Sequence, residues 1–266
     1  MLSINQSKCI QCEECINDCH RKALSMEGDR IIHNPDICMW CGHCLAVCPR
    51  DCIIIDGDGY DCEEVEDLGF APLPTKAQMR NMILARRSIR RFLDEPVSAE
   101  DIDMILEAGK YSPTGMNLQG NAFVLVYGES VASLAADSVA AFERLIAAGR
   151  IDEDNIARYK KLCDDHNADG KDEIYYSAPL IIFVFADTEA DGAIAASTMS
   201  MMAQSLKLGT CFERIPVCAY DDELFAEKWE GVTGKKCILC LAVGKPEPEY
   251  FCSVPRKDPI VIVKED

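Results

Sequence analysis

Cys9-Ile-Gln-Cys12-Glu-Glu-Cys15-Ile-Asn-Asp-Cys19 and Cys38-Met-Trp-Cys41-Gly-His-Cys44-Leu-Ala-Val-Cys48-Pro49 are two copies of one spacing, Cys-x2-Cys-x2-Cys-x3-Cys. Each cysteine of the second copy lies 29 residues after its counterpart, and the flanks follow suit, with Ala23-Leu24-Ser25 standing where Cys52-Ile53-Ile54 stands. This is an internal duplication. Three thiolates at two-residue gaps wrap a short loop around three corners of an iron–sulfur cube. The fourth, one helical turn further on, is too far round to close that cube and ligates the other one. The spacing therefore predicts two [4Fe-4S] clusters, one on Cys9, Cys12, Cys15 and Cys48, the other on Cys38, Cys41, Cys44 and Cys19. Zinc would ask for pairs of Cys-x-x-Cys joined by a longer spacer, a different pattern. Exchange of the fourth ligand ties the halves together, which matters because about 60 residues alone make a marginal core.

Residues 1 to about 62 thus resemble a bacterial two-cluster ferredoxin, with His20 where the first motif usually carries proline. Ten of the sixteen cysteines fall in this stretch. Across all 266 residues, 48% are apolar and 27% charged, as in a packed globular chain, and the net charge is -18. Such a surface repels phosphate backbones and anionic headgroups, so neither nucleic acid nor membrane is an expected partner. No apolar run approaches the ~20 residues of a membrane span. The Met-Leu-Ser-Ile-Asn-Gln-Ser-Lys start lacks a signal-peptide layout, so a cytoplasmic location is expected.

Seven of the twelve residues 56–67 are acidic, and Ala71-Pro72-Leu73-Pro74 follows as a stiff connector. The expected division is 1–62 for the two-cluster domain, 63–75 for an acidic, Pro-containing linker and 76–266 for a second domain. Within the second domain, helices are expected over 76–87, from Ser98 to near Tyr111, over 131–148, 153–165, 190–208 (capped by Gly209) and 222–229. Strands are expected over 121–127, 180–185 and 237–243. The expected class is α+β, a central sheet flanked by helices.

Five arginines, Arg80, Arg86, Arg87, Arg90 and Arg91, lie within twelve residues around Ser88. On an acidic protein that knot suits a bound phosphate, which the guanidinium fork matches in a bidentate way. A solvated basic helix end accounts for it equally well. Ser112-Pro113-Thr114-Gly115-Met116-Asn117-Leu118-Gln119 leaves a helix as a polar loop whose amides can read a heteroaromatic rim. It can equally be an ordinary turn. Arg256-Lys257 adds two late cations.

Taken in order, the Arg86–Arg90 segment, the Pro113–Gln119 loop and Arg256-Lys257 resemble the nitroreductase family over residues 76–266. That resemblance implies an α+β sandwich, FMN held at the interface of a homodimer, and a small electrophilic acceptor such as a nitroaromatic or quinone. By position it implies flavin contacts from Arg86, Arg87, Ser88, Arg90, Pro113, Thr114, Gly115, Asn117, Gln119, Arg256 and Lys257. Leu208–Phe212 resembles the family's helix exit near the flavin ring. The stretch after it departs from the usual Gly-rich form, and Ile215 and Pro216 are the contacts expected there. The tail Pro259–Val263 would add a strand to the partner subunit.

The expected function is FMN-dependent reduction in which two clusters relay electrons to or from the flavin. No protein acid or base is expected to be catalytic. The external donor is left open between reduced ferredoxin and NAD(P)H. The alternative is an electron-transfer adaptor serving a partner protein. Cysteines outside the eight ligands read as buried small hydrophobes. Cys237 and Cys240, three apart on a strand, should face opposite sides.

Overall fold

In the computed structural model, which describes residues 1–69, 73–232 and 234–265, the 29-residue repeat is written into the backbone. Gln11 and Trp40, Glu13 and Gly42, and Lys22 and Asp51 are three pairs one repeat apart, and all six have positive φ. The left-handed turns at Glu13 and Gly42 lead into short helices, Glu14–Asp18 (α1) and His43–Ala46 (α2). Two antiparallel ribbons complete this part. Leu2–Ile4 (β1) pairs with Ile53–Ile55 (β4), and Leu24–Glu27 (β2) pairs with Arg30–His33 (β3). In terms of the repeat, β3 is the copy of β1 and β4 the copy of β2, so each ribbon takes one strand from each half. Cys15, Leu24, Ile31, Cys52 and Ile53 form the small core between them.

The chain divides into two compact units: Met1–Leu73 with Gly115–Leu118, and Pro74–Thr114 with Gln119–Asp266. The stiff connector expected at Ala71-Pro72-Leu73-Pro74 falls partly on residues 71 and 72, outside the described residues. The acidic stretch holds a short 3-10 turn at Cys62–Glu64, whose cap Asp61 accepts the Glu63 N–H.

In the second unit, four antiparallel strands run in the order β5 (Ala122–Tyr127), β6 (Leu180–Ala186), β8 (Lys236–Gly244), β7 (Gly209–Glu213). Strand β6 is buried along its whole length, as a central strand covered on both faces must be. Its residues Leu180, Ile182 and Val184 pack with Ile105 of α4 (Ala99–Lys110) and with Ala196, Met199 and Ala203 of α7 (Glu189–Ser205). Ile181, Phe183 and Phe185 pack on the other face, with Leu134 and Phe142 of α5 (Ser130–Ala147) and Leu162 of α6 (Glu153–Asp169). A helix–sheet–helix sandwich results. Helix α3 (Lys76–Ala85), opened by a Thr75–Gln78 capping box, and α8 (Glu223–Lys228), capped by Asp222, complete the unit.

Four expectations need correction. The sheet has four strands, because β7 begins at Gly209. Helix α7 ends at Ser205 and turns out through a left-handed Lys207 (φ 63), so Gly209 opens a strand and caps nothing. Cys237 and Cys240 pack against the same core, because the β6–β8 register shifts between Val184 and Phe185 and the extra residue restores Cys237 to the side of Cys240. Cys62 and Cys252 are exposed, unlike the buried Cys52, Cys163, Cys211 and Cys240. The stretch 259–263 forms no strand in the single chain, and Ile260 is 95% exposed.

Candidate functional site

Two cavities open in the first unit. Cys9, Cys12, Cys15 and Cys48 line one, with Ile4, Ile31 and Ile53 as apolar walls. Cys19, Cys38, Cys41 and Cys44 line the other, together with Trp40 and His33. Backbone N–H groups already point at four of the sulfurs, again in repeat-related pairs. Gln11 N and Trp40 N lie 3.4 Å from Cys9 Sγ and Cys38 Sγ, while Ala23 N (3.2 Å) and Cys52 N (3.4 Å) serve Cys19 and Cys48. Such donors stabilise thiolate over thiol. Burial pushes the Cys48 thiol up, but the Cys52 and Arg50 backbone outweighs it and leaves that thiol lowered. Burial raises Cys15, and raises Cys44 to about 11, with neighbouring sulfurs adding to the shift. Thiols crowded this way favour a polycationic guest that takes them as thiolates. His33 Nε2, buried without a hydrogen-bond partner among the described residues, lines the second cavity and could donate to an acceptor lodged there. The residues present fit iron–sulfur clusters.

In the second unit, the Arg86–Arg90 segment lies alongside β7. Ser88 bridges to Thr210, and Ile89 N donates to Thr210 O at 3.0 Å. Gly209 makes this approach possible, since a Cβ there would meet Ile89 Cγ1 at 2.4 Å. The cations of the segment go to different places. Arg86 and Arg87 line a cleft with Ser200, Gln204, Lys207 and Thr210. Arg90 lines another, with Arg158, Tyr176 and Ile215.

Arg87 is engaged by carbonyls, donating to Leu84 O (2.8 Å), Arg86 O (2.7 Å) and Cys252 O (2.8 Å). Arg86 and Lys207 remain as the cations of the first cleft, with the Ser200–Thr210 hydroxyl pair (2.6 Å apart) at its wall. That donor set suits a phosphate. Arg90 Nε donates to Tyr176 Oη at 3.3 Å and lies 3.9 Å from Glu213, a buried carboxylate that also accepts from the Cys211 thiol at 2.9 Å. Burial and Glu213 push Cys211 up to about 12, so it stays a neutral donor.

The other expected contacts are dispersed. Thr114 Oγ1 accepts from Gln119 N at 2.9 Å within the second unit. Pro113 and Gly115 are exposed. Asn117 belongs to the first unit, where its amide donates to Met39 O (3.3 Å) and Trp40 O (3.0 Å). Met116, Asn117 and Gln119 all have positive φ (54, 55 and 49), a run of left-handed non-glycine residues that costs energy and is held by its surroundings. Ile215 and Pro216 are buried at the start of a 3-10 turn, and Ile215 O accepts from the Cys218 thiol (3.2 Å). Arg256 and Lys257 are exposed, and Arg256 donates to Pro255 O. No described contact brings either of them to Arg86 or Arg90. Sequence reasoning passed over Lys207, Ser200, Gln204, Arg158 and Tyr176, which carry no motif and meet only through the fold.

The nitroreductase family profile matches residues 83–245, and a 4Fe-4S dicluster domain profile matches residues 1–49. A nitrobenzene nitroreductase of Ectopseudomonas oleovorans is 36% identical over 70 residues, which is 26% of this chain and only 31% of that enzyme's length. Among solved structures, a nitroreductase with bound FMN from Bacteroides fragilis superposes with a TM-score of 0.58 at 24% identity, over 70% of this chain and 99% of that one. A nitroreductase with bound FMN from Desulfitobacterium hafniense gives 0.55 at 24% identity, over 70% and 97%. These likenesses establish the fold of the second unit.

Proposed function

Because the chain belongs to the nitroreductase family and carries a 4Fe-4S dicluster domain ahead of it, we propose that it is an FMN-dependent reductase fed by two [4Fe-4S] clusters and acting on a small electrophilic acceptor. The observation that carries this reading is the sorting of the eight motif cysteines, four to each of two cavities, on a chain of this family. Each cavity would hold one cluster. When bound, FMN exchanges electrons singly or in pairs and so couples one-electron clusters to a two-electron acceptor.

The chain's own residues do the rest. The N–H groups of Gln11, Ala23, Trp40 and Cys52 hold negative charge on sulfur. Arg86 and Lys207 would fix the flavin phosphate, and Arg90, steadied by Tyr176 and Glu213, would set a cation beside the ring. Solved nitroreductases of the same fold hold FMN, which supports flavin as the cofactor. We also propose that the working form is a homodimer, in which the exposed 260–263 stretch is covered by the partner.

Anaerobic purification with iron and flavin analysis tests the reading directly. The expected material holds about eight irons and about one FMN per chain and turns over a nitroaromatic. Colourless protein, or zinc in place of iron, would overturn it. Flavin that is reduced without any small acceptor being consumed would make the chain an electron-transfer adaptor instead.

A further inference from the structure

The cleft at Arg90 has a volume of about 750 Å³, part of which the proposed flavin would take, leaving the remainder for a small organic molecule. Arg90, Arg158, Lys161 and Lys171 line it, a concentration of cations on a chain of charge -18. Most of them are answered. Lys161 pairs with Asp165, Lys171 with Glu173, and Arg90 with Glu213. The one other carboxylate in the lining, Asp172, accepts three backbone N–H groups, from Ile174 (3.0 Å), Tyr175 (2.8 Å) and Ser177 (2.9 Å). Arg158 alone among these cations has no carboxylate partner among the described residues.

Tyr176 stands in the same cleft on a left-handed backbone (φ 59). Its oxygen accepts from Arg90, so its own proton is available to a ligand, and burial keeps that proton on. Leu162 and Ile215 supply apolar wall.

We propose that this cleft selects an electron acceptor with a single carboxylate on an aromatic ring, the carboxylate lying on Arg158 and the Tyr176 hydroxyl. One unanswered guanidinium calls for one counter-charge, and the acids at Asp172 and Glu173 oppose a second. The long-range field of the molecule repels anions, so any preference for one must come from these local groups. The inference rests on the reading above that Arg90 and Ile215 stand beside the flavin. The ligand preference itself belongs to the chain's own cleft.

The test is calorimetric titration of the purified oxidised protein with 4-nitrobenzoate and with its neutral counterpart 4-nitrobenzamide, flavin content being measured on the same sample. The benzoate should bind about fivefold tighter, as one exposed charge pair with a hydrogen bond allows. Arg158→Gln should bring the two ligands within about twofold while leaving the benzamide unchanged, and Arg158→Lys should retain most of the preference. Equal affinities, no benzoate binding, or a preference that survives Arg158→Gln would overturn the inference. So would a 4-nitrophenyl phosphate dianion that binds tighter than the benzoate. A sample without flavin that still shows the preference would sink the functional reading, and with it the acceptor role, while leaving the carboxylate preference of the cleft standing.

Discussion

The hydroxyl of Tyr175 is wholly buried and its partner is Ser138 Oγ at 2.7 Å, itself bonded to Leu134 O. Ser138→Ala strands that phenol without a partner and should cost about 1–3 kcal/mol, read as a shift in the denaturant midpoint at constant slope. Arg144 grips Asp222 through two bonds (2.9 and 2.6 Å), and Asp222 also caps α8 at Phe225 N. The hydrogen bond from Arg144 holds the Asp222 carboxyl below its ordinary 3.8. Its contribution to stability is therefore complete above about that pH and is lost as pH falls through the lower, folded-state value. Asp222→Asn should flatten the acid limb of a melting-temperature profile below pH 3.8 and leave the slope of the profile near neutrality unchanged. Cys41→Ala should cut iron per chain to about half with flavin retained; unchanged iron would remove Cys41 from the ligand set. At this scale the grouping of eight thiols into two sets of four was legible, because their spacing alone carries the message. The placement of Arg87 against Cys252 O, 165 residues away, was not, since nothing local marks which carbonyl a guanidinium will meet.

Elements were legible where periodicity was long. Helices α4, α5 and α8 start and stop within a residue or two of the expected bounds, because Ser98 caps α4, Asp222 caps α8 and the apolar face of α5 repeats. Strand β7 was missed because Gly-Thr-Cys-Phe-Glu after a long helix reads as its exit, and only pairing with β8 makes it a strand. The facing of Cys237 was missed because a bulge leaves no mark in composition. The α4–α7 contact yields a prediction. A Cβ on Gly109 would come within 2.7 Å of Phe123 Cζ and 3.0 Å of Met199 Sδ. Gly109→Ala should therefore cost about 1–3 kcal/mol by overpacking, despite alanine's better helix propensity. A variant as stable as the parent would mean that Phe123 and Met199 can give way.

For the molecule as a whole, the α+β sandwich and the dicluster unit were both within reach of the sequence, while the membership of Gly115–Leu118 in the first unit was not. That segment sits between two stretches of the second unit in the chain, so no domain boundary drawn as a single cut could include it. No helix of the described residues is long and apolar enough to cross a membrane. The two units should respond differently to loss of metal. With a core as small as that around Ile31 and Ile53, the first should melt separately once iron is chelated, while the transition of the second persists. A single unchanged calorimetric transition after iron removal would show that the thiol cavities contribute nothing to folding.

The exchanged ribbons have a consequence for biosynthesis. β1 leaves the ribosome roughly fifty positions before β4, the strand it pairs with, whereas β2 meets β3 almost at once. The Cys19 set is complete in the nascent polypeptide when Cys44 emerges, and the Cys9 set must wait for Cys48. A half-built nest therefore precedes the complete one, and the earliest-made strand is the last to be tucked in.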